Sequence, residues 1–246
     1  MSADVPAATG ARTGRAEYGP HPDQFVELTW PHGGTGPGVL LVHGGFWRRE
    51  RTVADLRGPA RELARHGAVV GNVEFRTVES GGTWPGCLDD VVAAAERFWR
   101  RTGVDPARTV LAGHSAGGHL ALLAAARLPG LGAVAALAAV SDTVAAHGAG
   151  LGDGAVAGLV AGTGARIADT SPAHRPPPPC PVLLMHGTED QTVPVEYSRR
   201  YAARNPGARL VEIPGARHMH LVKPERPAWR DVRQHVLALT EEVADG

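Results

Sequence analysis

The chain has 246 residues, 43% of them apolar, with 25 basic and 25 acidic side chains. That length suits one large α/β domain or two small ones with a sizeable core, and no stretch is long and apolar enough to read as a membrane span. The charge balance leaves no electrostatic footprint for nucleic acid or an anionic membrane surface, and the two cysteines, Cys87 and Cys180, predict free thiols in a reducing compartment rather than a disulfide.

Residues 1–20 are rich in Ala, Gly, Thr and Pro without periodicity, which predicts a flexible N-terminal extension ahead of a single domain over 21–246. Met1–Tyr18 shows neither the apolar core of a secretory signal nor a twin arginine, so the expected location is cytoplasmic. Phe25–Trp30 alternates like a half-buried strand. The segment His32–Gly38 carries a G-x-G spacing, but a strand follows it rather than a helix, so a dinucleotide-binding reading fails on context. Val39–Val42 is a continuous apolar run, as expected of a strand buried on both faces, and His43-Gly44-Gly45-Phe46-Trp47 breaks it. A helix is predicted over Val53–His66, a strand over Ala68–Val73 and a second amphipathic helix over Leu88–Trp99.

The apolar strand signal at Thr109–Ala112 runs into Gly113-His114-Ser115-Ala116-Gly117, and helical pattern resumes at Gly118–Ala126. A G-x-S-x-G pentapeptide between a strand and a helix is the setting of a nucleophile elbow. The sharp turn strains the backbone at the serine, and glycines remove the clashes around it. The helix then aims its N-terminal N–H groups at the reacting centre. A further strand is expected over Ala133–Val140. Residues 141–175 are Gly- and Ala-rich with little core pattern, which predicts a small cap or lid insertion. Arg175–Pro179 reads as an extended lead-in to a strand at Val182–Met185. Helix Val195–Ala203, strand Arg209–Ile213 and helix Ala228–Val243 close the chain. The alternation of strands and helices predicts an α/β fold with a mostly parallel sheet covered on both faces.

A serine hydroxyl needs a base within hydrogen-bond reach, an acid to orient that base, and donors for the developing oxyanion. The order expected on this fold is serine, acid, histidine. Asp190, in the loop after Val182–Met185, is the candidate acid; its neighbour Glu189 falls one position off the pattern, and Asp142 is an alternative. His218, in the loop after the last strand, is the candidate base, with His220 as its competitor. A His-x-His pair also fits metal, but no third ligand follows at metal spacing, so no metal or organic cofactor is expected. The candidate oxyanion donors are the N–H groups of Ala116, Gly45 and Phe46. Phe46, Trp47 and Trp84 are bulky loop residues near this predicted site, and Trp47 and Trp84 are the candidate substrate-binding residues. His43 is expected to order its turn by a buried hydrogen bond, His114 and His119 to pack around the elbow, and Glu74 and Arg76 to form an ion pair beneath it.

On these motifs, with Ser171-Pro172 and His186-Gly187-Thr188-Glu189-Asp190, the chain from about Tyr18 onward resembles the α/β-hydrolase superfamily. It stands near hormone-sensitive-lipase-like esterases and bacterial kynurenine formamidases (arylformamidases). The resemblance implies Ser115, Asp190 and His218 as a triad and an oxyanion hole at the Gly45 region and Ala116. Formamidases of this kind favour Tyr where this chain has Phe46, and the lipase-like esterases favour a third glycine there. The expected activity is therefore hydrolysis of a small ester or amide, with two substrates in view: an N-formyl arylamine and a short-chain ester. A ligand-binding protein without turnover, or an acyltransferase, would use the same fold. The sequence sets no oligomeric state.

Overall fold

The computed structural model describes residues 12–243. Eight strands form one sheet: β1 (Thr13–Glu17), β2 (Phe25–Thr29), β3 (Gly38–Val42), β4 (Val69–Glu74), β5 (Thr109–His114), β6 (Ala133–Leu137), β7 (Val182–Gly187) and β8 (Ala208–Ile213). Their spatial order is β1-β2-β4-β3-β5-β6-β7-β8. The pairs β1–β2 and β2–β4 are antiparallel, and every pair from β4 to β8 is parallel. The chain passes from β3 outward to β4 and then returns to place β5 on the other side of β3. Strand order thus reverses between β3 and β5, and open α/β sheets carry their sites outside the carboxyl ends of the strands at such a point.

Strand side chains alternate between faces, and here both faces are covered. Val39 and Leu41 pack with Val110 and Ala112 beneath α1 (Arg57–Arg65) and α7 (Pro227–Glu242). Leu40 and Val42 point the other way, with Leu111 and Val134, beneath α2 (Gly86–Thr102) and α3 (Ala116–Ala125). This is why the central strands read as unbroken apolar runs. Between β6 and β7 lie two short helices, α4 (Thr143–Gly148) and α5 (Ala155–Val160), and two 3-10 turns; α6 (Glu196–Arg204) follows β7.

Several boundaries differ from expectation. Residues 13–17, placed by sequence in a flexible extension, form edge strand β1, held by backbone pairing to β2 with only Ala16 buried. The rest of that expectation, residues 1–11, lies outside the described residues. The helix expected over Val53–His66 begins as a 3-10 turn, Val53–Leu56, capped by the Thr52 hydroxyl, before α1. The strand expected to reach Val140 stops at Leu137, because Ala138 turns to a positive φ of 47°. Helix α2 runs on to Thr102 and ends at Gly103, whose φ of 74° fits a left-handed cap.

Candidate active site

The carboxyl ends of β3, β5, β7 and β8 carry all the site residues. Ser115 follows β5 with φ 57° and ψ −119°, a backbone conformation costly for a side-chain-bearing residue, and α3 starts at the next residue. The neighbouring glycines let the turn pack. A methyl on Gly113 would overlap the Gly117 carbonyl, and one on Gly117 would overlap the Val42 and His43 carbonyls. The Ser115 N–H donates to Leu137 O (2.8 Å), which fixes the elbow to β6. Gly44, after β3, packs against Ser115: a methyl there would lie 2.9 Å from Ser115 Cβ. Gly45, Phe46 and Trp47 then take positive φ values of 105°, 53° and 60° in succession, folding the loop over the elbow.

Asp190 is fixed from both oxygens. Its Oδ1 accepts the N–H groups of Thr192 (2.8 Å) and Val193 (2.9 Å). Its Oδ2 lies 2.6 Å from His218 Nδ1 and 3.4 Å from His186 Nε2. Because a carboxylate only accepts, His218 Nδ1 carries the hydrogen and Nε2 is its other ring nitrogen. Burial alone would raise the Asp190 carboxyl. The hydrogen bonds from His186, His218 and the Val193 N–H outweigh it and hold the group well below the usual carboxylate range. His186 is itself oriented: its Nε2–H donates to Val193 O (2.8 Å), and Nδ1 accepts the Ser198 hydroxyl (2.7 Å).

Ser115, His218, Gly44, Gly45 and Phe46 line one cavity of about 200 Å³. Leu56, Met219 and Val222 supply apolar wall, and Glu50, Arg51 and Asp55 reach its rim, where Arg51 Nη1 pairs with Asp55 (3.0 Å). None of these six residues carries a motif, and only Met219 and Val222, close behind His218, were traceable by position. Phe46 is covered in turn by Gly152, between α4 and α5, where a methyl would lie 2.6 Å from the Phe46 ring.

The remaining predicted residues are placed as follows. His220 does not reach Asp190; its Nδ1 accepts the Arg217 N–H (3.2 Å) inside its own turn. Asp142 caps α4 through the Ala145 N–H (3.0 Å), and Glu189 is exposed, 3.9 Å from Arg217. Trp47 lines no part of the cavity. It is fully buried and donates Nε1–H to His119 Nδ1 (3.2 Å), because the left-handed turn drives its ring under the loop. Trp84 lines a separate cavity beside α2 and α3. The expected Glu74–Arg76 pair does not form. Glu74 faces His43 Nε2 (2.8 Å) and accepts the Val53 N–H (3.0 Å), while Arg76 grips Asp90 with Nε (2.9 Å) and Nη2 (2.8 Å). Strand β4 ends at Glu74, so Arg76 lies beyond it, where the chain turns toward Asp90 on α2. His43 Nδ1–H donates to Gly44 O (2.9 Å), ordering its turn as expected. Cys87 and Cys180 are unpaired, and burial pushes their thiols up to about 12 and about 11. Among the described residues, no group of three His, Cys, Asp or Glu side chains is arranged to hold a metal, and no helix is long and apolar enough to cross a membrane.

The sheet order, the strained serine elbow and the loops gathered at the strand ends define an α/β-hydrolase of the serine-hydrolase class. Within that class the chain belongs to the prolyl oligopeptidase family, whose model matches residues 74–235. Among curated proteins it is similar to the uncharacterized protein YfhR of Salmonella typhimurium, 28% identical over 225 residues that cover 82% of this chain and 77% of that one. Two solved structures share the fold. One is the thermophilic esterase Est2 of Thermogutta terrifontis with propionate bound (TM-score 0.73, 22% identity, covering 95% of this chain and 94% of that one). The other is esterase B of Lactobacillus rhamnosis inhibited by a tributyrin phosphonate (TM-score 0.80, 19% identity, covering 98% and 89%).

Proposed function

We propose that the protein hydrolyses esters or amides of short acyl groups through an acyl-enzyme on Ser115, with His218 as general base and acid and Asp190 as its orienting partner. The observation that carries this reading is the 2.6 Å His218–Asp190 contact on the same cavity that Ser115 enters from its strained elbow. His218 Nε2 takes the Ser115 proton as Oγ bonds to the acyl carbon. The oxyanion accepts from the N–H of Ala116, which has no acceptor within its own helix, and from those of Gly45 and Phe46. His218 then delivers the proton to the departing alcohol or amine, and water repeats the sequence to release the acid and free Ser115.

The small cavity favours a short acyl group, and the propionate and tributyrin phosphonate in the two esterases of the same fold are of that size class. Formyl on an aromatic amine is a narrower form of this reading. It is favoured by the apolar outer wall of Phe46, Leu56, Met219 and Val222, which suits a flat leaving group. The test compares wild type with Ser115→Ala on N-formylkynurenine and on p-nitrophenyl esters from acetate to octanoate. Wild-type turnover should fall steeply beyond butyrate, and Ser115→Ala should lose about 10⁴-fold or more in kcat. A Ser115→Ala protein that keeps wild-type turnover would refute the mechanism. The ratio of formamide to ester turnover chooses between the two leaving groups.

A further inference from the structure

A second cavity of about 230 Å³ lies between α2, α3 and the proline-rich segment before β7, and it shares no residue with the cavity at Ser115. Its α3 wall, Leu122 and Leu123, is seven and eight residues beyond Ser115, about 11 Å along the helix. Trp84 and Leu88 form the opposite wall, so the interior is apolar and aromatic. Both charged side chains that line it, Arg127 and Arg175, are cationic. Arg127 Nη1 also meets Asp89 (2.7 Å), outside the cavity, and Arg175 Nε donates to the Asp169 carbonyl (3.1 Å).

Tyr201 supplies the polar contact inside. Its side chain belongs to the largest fully enclosed ones of the protein at 2% exposure, it lines this cavity, and its hydroxyl meets no hydrogen-bond partner among the described residues. The hydroxyl is not among the side-chain atoms closed off from solvent without a partner, so it stays open to a group that enters the cavity. Burial pushes the phenol up to about 12, which leaves the hydroxyl protonated and able to donate.

We propose that this cavity is a second small-molecule site, separate from the reaction centre, for an amphipathic carboxylate. Its aromatic or aliphatic body would lie between Trp84 and Leu122, and its carboxylate would accept from the Tyr201 hydroxyl and face the two arginines. The site needs no turnover, so it stands or falls apart from the proposed hydrolysis.

Isothermal titration with 4-phenylbutyrate and, in parallel, with the uncharged 4-phenylbutanol tests it. The acid should bind saturably, about tenfold more tightly than the alcohol. Arg127→Gln combined with Arg175→Gln should remove that preference, and Tyr201→Phe, which keeps the ring in place, should weaken the acid about fivefold or more while leaving the alcohol unchanged. All three positions are remote from Ser115, so acid binding unchanged in these variants would place the probe elsewhere and overturn the proposal. Equal affinity for acid and alcohol, or no saturation by about 10 mM, would overturn it as well.

Discussion

Asp190→Asn is the most exacting test of the proposed chemistry, because the structure dictates which way the new amide must face. Oδ1 accepts two backbone N–H groups, from Thr192 and Val193, at 2.8 and 2.9 Å. An asparagine will keep its carbonyl oxygen there, since turning its NH₂ toward two donors would leave both unsatisfied in a buried loop. Its NH₂ must then take the place of Oδ2, 2.6 Å from His218 Nδ1. A donor now faces that ring nitrogen, so Nδ1 becomes an acceptor and the hydrogen moves to Nε2. His218 cannot then take a proton from Ser115, and the imidazolium loses its counter-charge. A wrong-tautomer histidine costs about 10³- to 10⁴-fold in kcat, or about 4–5 kcal/mol of transition-state stabilisation. Asp190 does not line the cavity, so KM should change little and kcat/KM should fall with kcat. Steady-state kinetics on p-nitrophenyl acetate, with circular dichroism to confirm the fold, measures this. Glu189→Gln is the control: exposed and only loosely paired with Arg217, it should leave kcat within twofold, as surface substitutions do. A folded Asp190→Asn enzyme within tenfold of wild type would refute the assigned role.

Two further outcomes follow from packing and titration. Gly117→Ala puts a methyl into the Val42 and His43 carbonyls, which are backbone and cannot rotate away; urea denaturation should show a loss of at least about 3 kcal/mol, or no folded protein. Burial pushes His119 down from its ordinary value of 6.5 to about 4, while its hydrogen bond to the Thr170 carbonyl opposes the shift. The unfolded chain therefore binds the extra proton first as pH falls, so this contribution is full above pH 6.5 and is lost progressively towards pH 4, by about 3 kcal/mol. His119→Gln, which can accept from Trp47 and donate to Thr170 without titrating, should flatten that part of the stability profile between pH 7 and pH 4.5. An identical slope in the variant would assign it to other groups.

What the sequence made legible was whatever local chemistry sets. Val39–Val42, Val110–Ala112 and Val182–Met185 are apolar throughout because helices cover both faces, and that pattern needs no tertiary knowledge. The serine elbow was legible because its pentapeptide sits between an apolar strand signal and a helical one, although Gly117 is required by the Val42 and His43 carbonyls far away in the chain. Edge strand β1 was not: four of its five residues are exposed, and backbone pairing to β2 leaves no trace in side-chain pattern. Trp47 and Trp84 were misplaced for a related reason. A loop aromatic points where its backbone aims it, and the positive φ at Phe46 and Trp47 belongs to residues that sequence statistics place elsewhere. Arg76 finds Asp90 fourteen residues away on a helix, a partner that only the packing of α2 on the sheet supplies.

The buried histidines explain how loops from distant strands are held in register around one cavity. Each donates a ring N–H to a backbone carbonyl, His43 and His186 within their own loops and His114 and His119 across to a distant segment. His43 bonds Gly44 O in the loop after β3, and His114 bonds the His218 carbonyl (3.0 Å) in the loop after β8. His186 bonds Val193 O in the loop of Asp190, and His119 bonds Thr170 O (2.6 Å) in the segment between β6 and β7. A lysine or arginine in these positions would bring a charge that burial penalises heavily, and a serine would lack the reach. An imidazole spans the gap, and because it is rigid it fixes the direction as well as the distance. The second ring nitrogen stays tied to its own partner, which sets the tautomer: Trp47 for His119 and Ser198 for His186. Burial, reinforced by His218, pushes His114 well below its ordinary range, so it stays neutral beside His218, the base of the proposed mechanism. The same residue type thus serves two opposed purposes within one site. His218 has a ring nitrogen with no protein partner and stands at the cavity, whereas the four around it have both nitrogens committed or buried and act as fixed struts.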